Sequence, residues 1–133
     1  MYGRSEEEWA KLTEAGLEFL LERARQNRPT SYTELNATLV QRVDMSGFDF
    51  SRADERAAMG HLLWLIVERN RPESGLMLSA LVFYLNSNEA GPGFFGLAQE
   101  LGLLSAKASR QQKEEFWVDQ LRQLDERYSR THP

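Results

Sequence analysis

Residues 76–102, LMLSALVFYLNSNEAGPGFFGLAQELG, decide the reading of the fold. Leu76 to Leu85 is apolar on both alternating faces, with Leu76, Leu78, Ala80, Val82 and Tyr84 on one and Met77, Ser79, Leu81, Phe83 and Leu85 on the other. A segment apolar on both faces predicts a strand covered from both sides. Such a strand needs a neighbour, because its buried N–H and C=O groups must be paired. Three neighbours fit: Thr30 to Tyr32, the Gly93 to Phe95 region, or the same strand of a second subunit in a homodimer. Asn86 to Gly93 then reads as a loop, since Gly91, Pro92 and Gly93 suit tight turns. Phe94 to Leu101 follows as a short helix closed by Gly102 at its C-cap.

The segments before this unit are helical. Ser5 to Gln26 opens with a capping box, Ser5 with Glu8, and places Trp9, Leu12, Gly16, Phe19, Leu20 and Ala24 on one stripe. Asn27, Arg28 and Pro29 end it. A second capping box, Ser31 with Glu34, opens a short helix within Thr30 to Val43, with Leu35, Leu39 and Val40 inward. Asp44 to Phe50 is a loop whose Phe48 and Phe50 tuck under neighbouring helices. Ser51 is the next expected N-cap, and its helix runs to about Asn70, where Pro72 should bar continuation. The run Leu62 to Val67 is apolar nearly all round and marks this helix as central. After the polar linker Ser105 to Arg110, Gln111 to Ser129 reads as a last amphipathic helix with Trp117, Leu121, Leu124 and Tyr128 on one face.

The 133 residues fit one domain. Within it, residues 1–28 form an acidic first helix, 29–104 a core and 110–130 a C-terminal helix. The fold class is therefore mostly α with a small β element, an α+β chain of about five helices. Three helical segments followed by strand, loop and helix resemble a winged-helix arrangement. Residues 1–22 carry six glutamates against Arg4 and Lys11, so the whole net charge of −4 sits on the first helix. No apolar run approaches the ~20 residues of a membrane span, and the acidic start is unlike a signal peptide. A cytoplasmic protein with no membrane partner is expected.

Little of the chain suggests catalysis. Without cysteine there is no thiol nucleophile, thiolate metal site or disulfide. The two histidines, His61 and His132, are too few and too far apart for a histidine metal site. His61 sits mid-helix beside an apolar run and reads as structural. Gly91-x-Gly93-x-x-Gly96 matches a dinucleotide fingerprint in letters, but the helix after it is short and no second strand follows. It reads as a turn and a helix cap. No enzyme constellation and no cofactor are expected.

Two resemblances rest on these residues. Leu78-Ser79-Ala80-Leu81-Val82, Gly91-Pro92-Gly93-Phe94-Phe95 and Ala98-Gln99-Glu100-Leu101-Gly102 resemble a family of small uncharacterised bacterial proteins over roughly Thr30 to Trp117. That resemblance implies no activity. The order Ser31-Tyr32-Thr33-Glu34-Leu35, Arg56-Ala57-Ala58-Met59-Gly60, strand, Gly93-Phe94-Phe95-Gly96-Leu97 looks like the DNA-binding half of alkylguanine-DNA alkyltransferases and their alkyltransferase-like relatives. That family carries Pro-Cys-His-Arg, or Pro-Trp with a polar pair, where this chain has Met77-Leu78-Ser79-Ala80. The nucleophile and its base are missing, so alkyl transfer is excluded and the scaffold alone is implied.

The expectation is a non-enzymatic regulatory or defence-associated module that binds DNA or a DNA-linked complex. Arg52 and Arg56, one turn apart at the exposed start of the third long helix, would contact phosphates or bases, with Arg42 and Tyr32 in support. The alternative is a protein-interaction module of antitoxin or immunity type. It would dock a basic protein partner through Glu7, Glu14 and Glu18 on the acidic first helix.

Overall fold

The structure is a computed structural model that describes residues 1–129. Five helices and a two-stranded sheet make up its regular elements in the order α1 (Glu6–Gln26), β1 (Thr30–Ser31), α2 (Tyr32–Val43), α3 (Ala53–Ser74), a 3-10 turn (Leu78–Leu81), β2 (Val82–Phe83), α4 (Pro92–Glu100) and α5 (Arg110–Tyr128). The chain is mostly helical with a small β element, as its patterning implies. α1 begins with the expected capping box: the Glu8 amide donates to Ser5 Oγ, and the Ser5 amide donates to Glu8 Oε1 at 2.9 Å. Its buried stripe is Trp9, Leu12, Gly16, Phe19, Leu20 and Ala24, joined by Thr13. α1 packs against α2, α3 and α5. At the α1–α3 contact Gly16 has no room for a side chain, because a Cβ there would come within 2.7 Å of Ile66 Cδ1.

The ten-residue strand expected at Leu76 to Leu85 does not form. Only Val82–Phe83 is strand, and Leu78–Leu81 is a 3-10 turn. Two side chains of α5 explain the difference. Gln120 Oε1 accepts from the Met77 amide at 2.8 Å, and the Trp117 indole N–H donates to the Ala80 carbonyl at 2.8 Å. These bonds meet needs that a neighbouring strand would otherwise meet. Burial on every side produces the same apolar pattern whatever the backbone does, so alternation alone could not separate the two conformations. Where β2 does form, its neighbour is β1, in parallel register with Thr30 opposite Val82 and Ser31 opposite Phe83. Of the three expected neighbours, the segment at Thr30 is therefore the one used. On the far side, Phe83 makes a single antiparallel bridge to Ala90, closed by the Tyr84 amide donating to the Glu89 carbonyl at 2.9 Å.

Several helix ends depart from expectation. Ser51 does not cap α3. Its amide and hydroxyl both bond Asp49 Oδ1, and Arg52 stands at the N-cap without a side-chain cap bond. Pro72 does not stop α3, which runs to Ser74 and ends at Gly75 with φ 72°. Pro72 lies in the last turn on the exposed side, so the helix loses one amide there and is not required to bend into the core. Glu34 does not complete a capping box. The Ser31 hydroxyl accepts from the Glu34 amide, but the Glu34 carboxylate accepts instead from Thr30 Oγ1 at 2.5 Å and Arg23 at 2.8 Å. α4 begins two residues earlier than expected, with Pro92 at its first position, where a missing N–H costs nothing, and ends at Glu100. α5 starts at Arg110 under a Ser109–Gln112 capping box.

One core draws on all these elements. Leu62, Ile66 and Val67 of α3 are buried, as the apolar run implies, and Leu20, Leu35, Met77, Leu78 and Leu124 join them. Loop 44–50 is fastened by Asn36, whose side chain accepts from the Phe48 amide at 2.8 Å and donates to the Phe48 carbonyl at 3.1 Å. Phe48 is buried and Phe50 half-buried. The α5 clamp gives a direct prediction. Gln120→Met keeps the volume but leaves the Met77 amide buried and unpaired. It should lower unfolding free energy by about 1–3 kcal/mol in urea titration, with the slope unchanged.

Candidate functional site

α3 leaves loop 44–50 carrying two arginines, and the loop decides how they sit. Arg56 donates to the Phe50 carbonyl at 2.7 Å. Arg52 doubles back on Asp54 with contacts of 3.1 and 2.6 Å, in a pair exposed at both ends. Glu55, next to Arg56 in sequence, is drawn away. Arg4 grips it with two bonds of 2.9 and 3.1 Å, and the pair is largely buried. The same guanidinium lies 4.2 Å from the Phe48 ring centroid and 5.7 Å from that of Trp9. The bonds from Arg4 hold the Glu55 carboxyl below the usual carboxylate range, against the effect of burial.

Beside this start of α3 lies a cleft of about 570 Å³ between α3, β2 and α4. Its walls include Tyr32, Arg56, Trp64, Ser79, Tyr84 and Phe94. Tyr32 is buried at the β1–α2 junction, in edge contact with Tyr84 at 5.2 Å and tilted against Phe50 at 5.5 Å. Burial first, and then the neighbouring Tyr84 phenol, push the Tyr32 hydroxyl up to about 12. The Ser79 hydroxyl is buried with no hydrogen-bond partner.

Three glycines, Gly60 of α3 and Gly93 and Gly96 of α4, complete the wall. A Cβ at any of them would meet nothing within 4 Å. Helix-interior glycine costs about 1 kcal/mol relative to alanine. Gly60 and Gly96 lie inside their helices, whereas Gly93 is the second residue of α4; Gly93 and Gly96 are exposed, in contrast to Gly91, where a Cβ would lie 2.7 Å from the Tyr84 ring.

The cleft brings together Arg56 and Tyr32, and Arg52 stands one turn before Arg56. Arg42 lies elsewhere: its guanidinium makes a two-point pair with Glu22 at 3.0 and 2.9 Å, over the ring of Phe19 on the α1–α2 face. Glu7, Glu14 and Glu18 are exposed along α1, and Glu7 makes a loose pair with Lys11 at 3.6 Å. His61 packs among rings, 4.8 Å from Trp9 and 5.6 Å from Trp64, and burial followed by the N-terminal ammonium lowers its pKa. His132 lies outside the described residues. Ser79, Trp64, Tyr84 and the three open glycines were not legible as a site. In the sequence these glycines stand out only in the Gly91-x-Gly93-x-x-Gly96 spelling and in the alkyltransferase resemblance. Among the described residues no group of three His, Asp or Glu could hold a metal ion, and no helix is long and apolar enough to cross a membrane.

No family model, curated protein or solved structure matches the chain.

Two titrations test the site's electrostatics. The depressed Glu55 carboxyl contributes stability that is fully present above its unfolded value, about 4.3, and lost as pH falls through its folded value. Arg4→Met should cost about 1–3 kcal/mol at neutral pH and flatten the loss of stability on acidification, measured by urea unfolding across that range. The raised Tyr32 phenol works in the opposite direction. Its contribution is present below its unfolded value, about 10, and is lost as pH rises through its folded value of about 12. Ultraviolet titration should show one tyrosine ionising late, and Tyr32→Phe should remove that phase.

Proposed function

We propose that this chain is a non-enzymatic regulatory or defence-associated module of the cytoplasm that binds DNA or a DNA-linked complex through the first turns of α3 and the adjoining cleft. The observation that supports this reading is convergence. The three segments that resemble the DNA-binding half of alkyltransferases supply Tyr32, Arg56, Gly60, Gly93, Phe94 and Gly96, and all six line one cleft. Two further features favour it. Glu55 is paired with Arg4, which offsets one of the three carboxylates, Asp49, Asp54 and Glu55, that act on Arg52. The Arg52–Asp54 pair is exposed, and exposed pairs are worth only about 0–1 kcal/mol, so a phosphate can displace Asp54 cheaply. Arg42, held by Glu22 on another face, has a secondary part in this reading.

Fluorescence anisotropy with labelled duplex and single-stranded DNA tests the proposal. Binding should weaken steeply as salt rises from about 50 to 200 mM. Arg56→Glu with Arg52→Glu should reduce it by at least about tenfold with an unchanged circular dichroism spectrum, whereas Asp54→Asn should tighten it. No binding of wild-type protein at low salt would refute DNA recognition by the isolated chain.

A second reading is favoured by the acidic stripe of α1. Glu14 and Glu18 are exposed and form no ion pair among the described residues. In that reading the helix docks a basic protein partner, and Glu7→Gln, Glu14→Gln and Glu18→Gln together weaken that partner without affecting DNA.

A further inference from the structure

On the basis of that DNA reading, we infer that Arg4 is a positioning residue of the arginine edge: it holds the Glu55 carboxylate against loop 44–50 and so keeps it from pairing with Arg52. Glu55 is the third residue of α3, and Arg52 is the N-cap. A carboxylate at that third position ordinarily folds back on the N-cap residue, as Glu8 does on Ser5 at the start of α1. At α3 this does not happen. The Arg52 amide donates to the Asp49 carbonyl at 3.1 Å. Glu55 turns to Arg4, at 2.9 and 3.1 Å, and accepts from the Asp49 amide at 3.3 Å. Its charge still reaches the Arg52 guanidinium through space.

The segment before α1 is shaped to hold Arg4 there. Its chain turns back through left-handed backbone at Tyr2, φ 54°, and Gly3, φ 72°. The Met1 carbonyl accepts from the Arg4 amide at 3.1 Å and from the Trp9 indole at 2.9 Å. The Tyr2 carbonyl accepts from the Arg4 guanidinium at 3.2 Å, and the Phe48 ring lies under the same group. A two-point bond to a largely buried carboxylate is a strong contact, and the exposed Arg52–Asp54 pair is a weak one. Loss of Arg4 would leave a largely buried carboxylate without a cation. Arg52, already within its field, becomes the available one. A phosphate at Arg52 would then have both Asp54 and Glu55 to displace. Loop 44–50 keeps its own fastening, the two Asn36 bonds to Phe48, and Arg56 keeps the Phe50 carbonyl. Arg4 therefore acts on the charge of the edge and not on its shape.

Fluorescence anisotropy with labelled duplex DNA at low salt tests this in the intact chain. Arg4→Met should weaken binding by about threefold or more and make its salt slope shallower by about one. Adding Glu55→Gln to Arg4→Met should restore both, although the ion pair is then gone altogether. A merely structural Arg4 would leave that double variant as weak as the single one. Arg4→Met with Glu18→Gln has the same net charge, but it removes a carboxylate that acts on Arg42, and it should stay weak. Arg4→Gln takes the place of Arg4→Met if the methionine variant does not fold by circular dichroism. The proposal is overturned if Arg4→Met binds as wild type does, if Glu55→Gln fails to restore binding, or if Glu18→Gln restores it equally. A second arm needs no DNA. Carbon-13 NMR titration of the Glu55 carboxyl should find it still below the usual carboxylate range in Arg4→Met, and closer to that range once Arg52→Gln is added. A wild-type protein that binds no DNA refutes the DNA reading, and this titration then decides the exchange of partners by itself. Indifference of Glu55 to Arg52→Gln in the Arg4→Met background overturns that exchange.

Discussion

The backbone of Leu76 to Leu81 runs through the core, and its polar groups have to be paired there. Every residue of this segment is buried, and an unpaired amide or carbonyl in such surroundings costs about 1–3 kcal/mol. Two residues of α5 meet much of that need: Gln120 at the Met77 amide and Trp117 at the Ala80 carbonyl. The next two residues turn to β1 for a parallel pairing. Because α5 and β1 take opposite ends of the segment, its position is determined from both ends of the chain. Ser79 lies between those attachments, and so does one wall of the cleft.

The charges follow a similar economy. Arg4, Arg23, Arg42 and Arg52 are each bound to a carboxylate, and the most buried of these pairs, Arg4 with Glu55, ties the chain start to the first turn of α3. Its effect is local but useful. It takes a negative charge away from the arginine edge and covers Phe48 and Trp9 with a guanidinium. What remains for recognition is a cleft with aromatic sides, a cation at its rim and glycine where side chains could have stood.

Helix positions were legible because their causes are local. The capping box at Ser5, the apolar stripe of α1 and the all-round apolar run of α3 each depend on residues within a turn or two. The errors arose where the cause is distant. Apolar residues on both alternating faces of Leu76 to Leu85 predict a strand, yet the same pattern is compatible with a 3-10 turn once Gln120 and Trp117 provide partners. Proline disrupts helix interiors, which makes Pro72 read as a stop, yet in an exposed last turn it costs little. Glu34 matched a capping box in spacing, but Arg23 and Thr30 compete for its carboxylate. For the site, Arg56 and Tyr32 were picked out separately from two helices. Their meeting in one cleft depends on β1 lying beside β2.

By itself the sequence determined a mostly helical chain with a small β element, the buried stripe of α1 and the lack of any thiol chemistry, whereas of the expected inward set Leu35, Leu39 and Val40 in α2 the last is exposed. Those properties follow from composition and from periodicities that a short window contains. The tertiary structure alone decided which strand pairs with which, that α5 side chains complete a buried backbone, and that Tyr32 and Arg56 line one cleft. Each of these is a relation between residues far apart in the chain. Hydrogen-bond satisfaction and close packing select such relations only after the chain has folded.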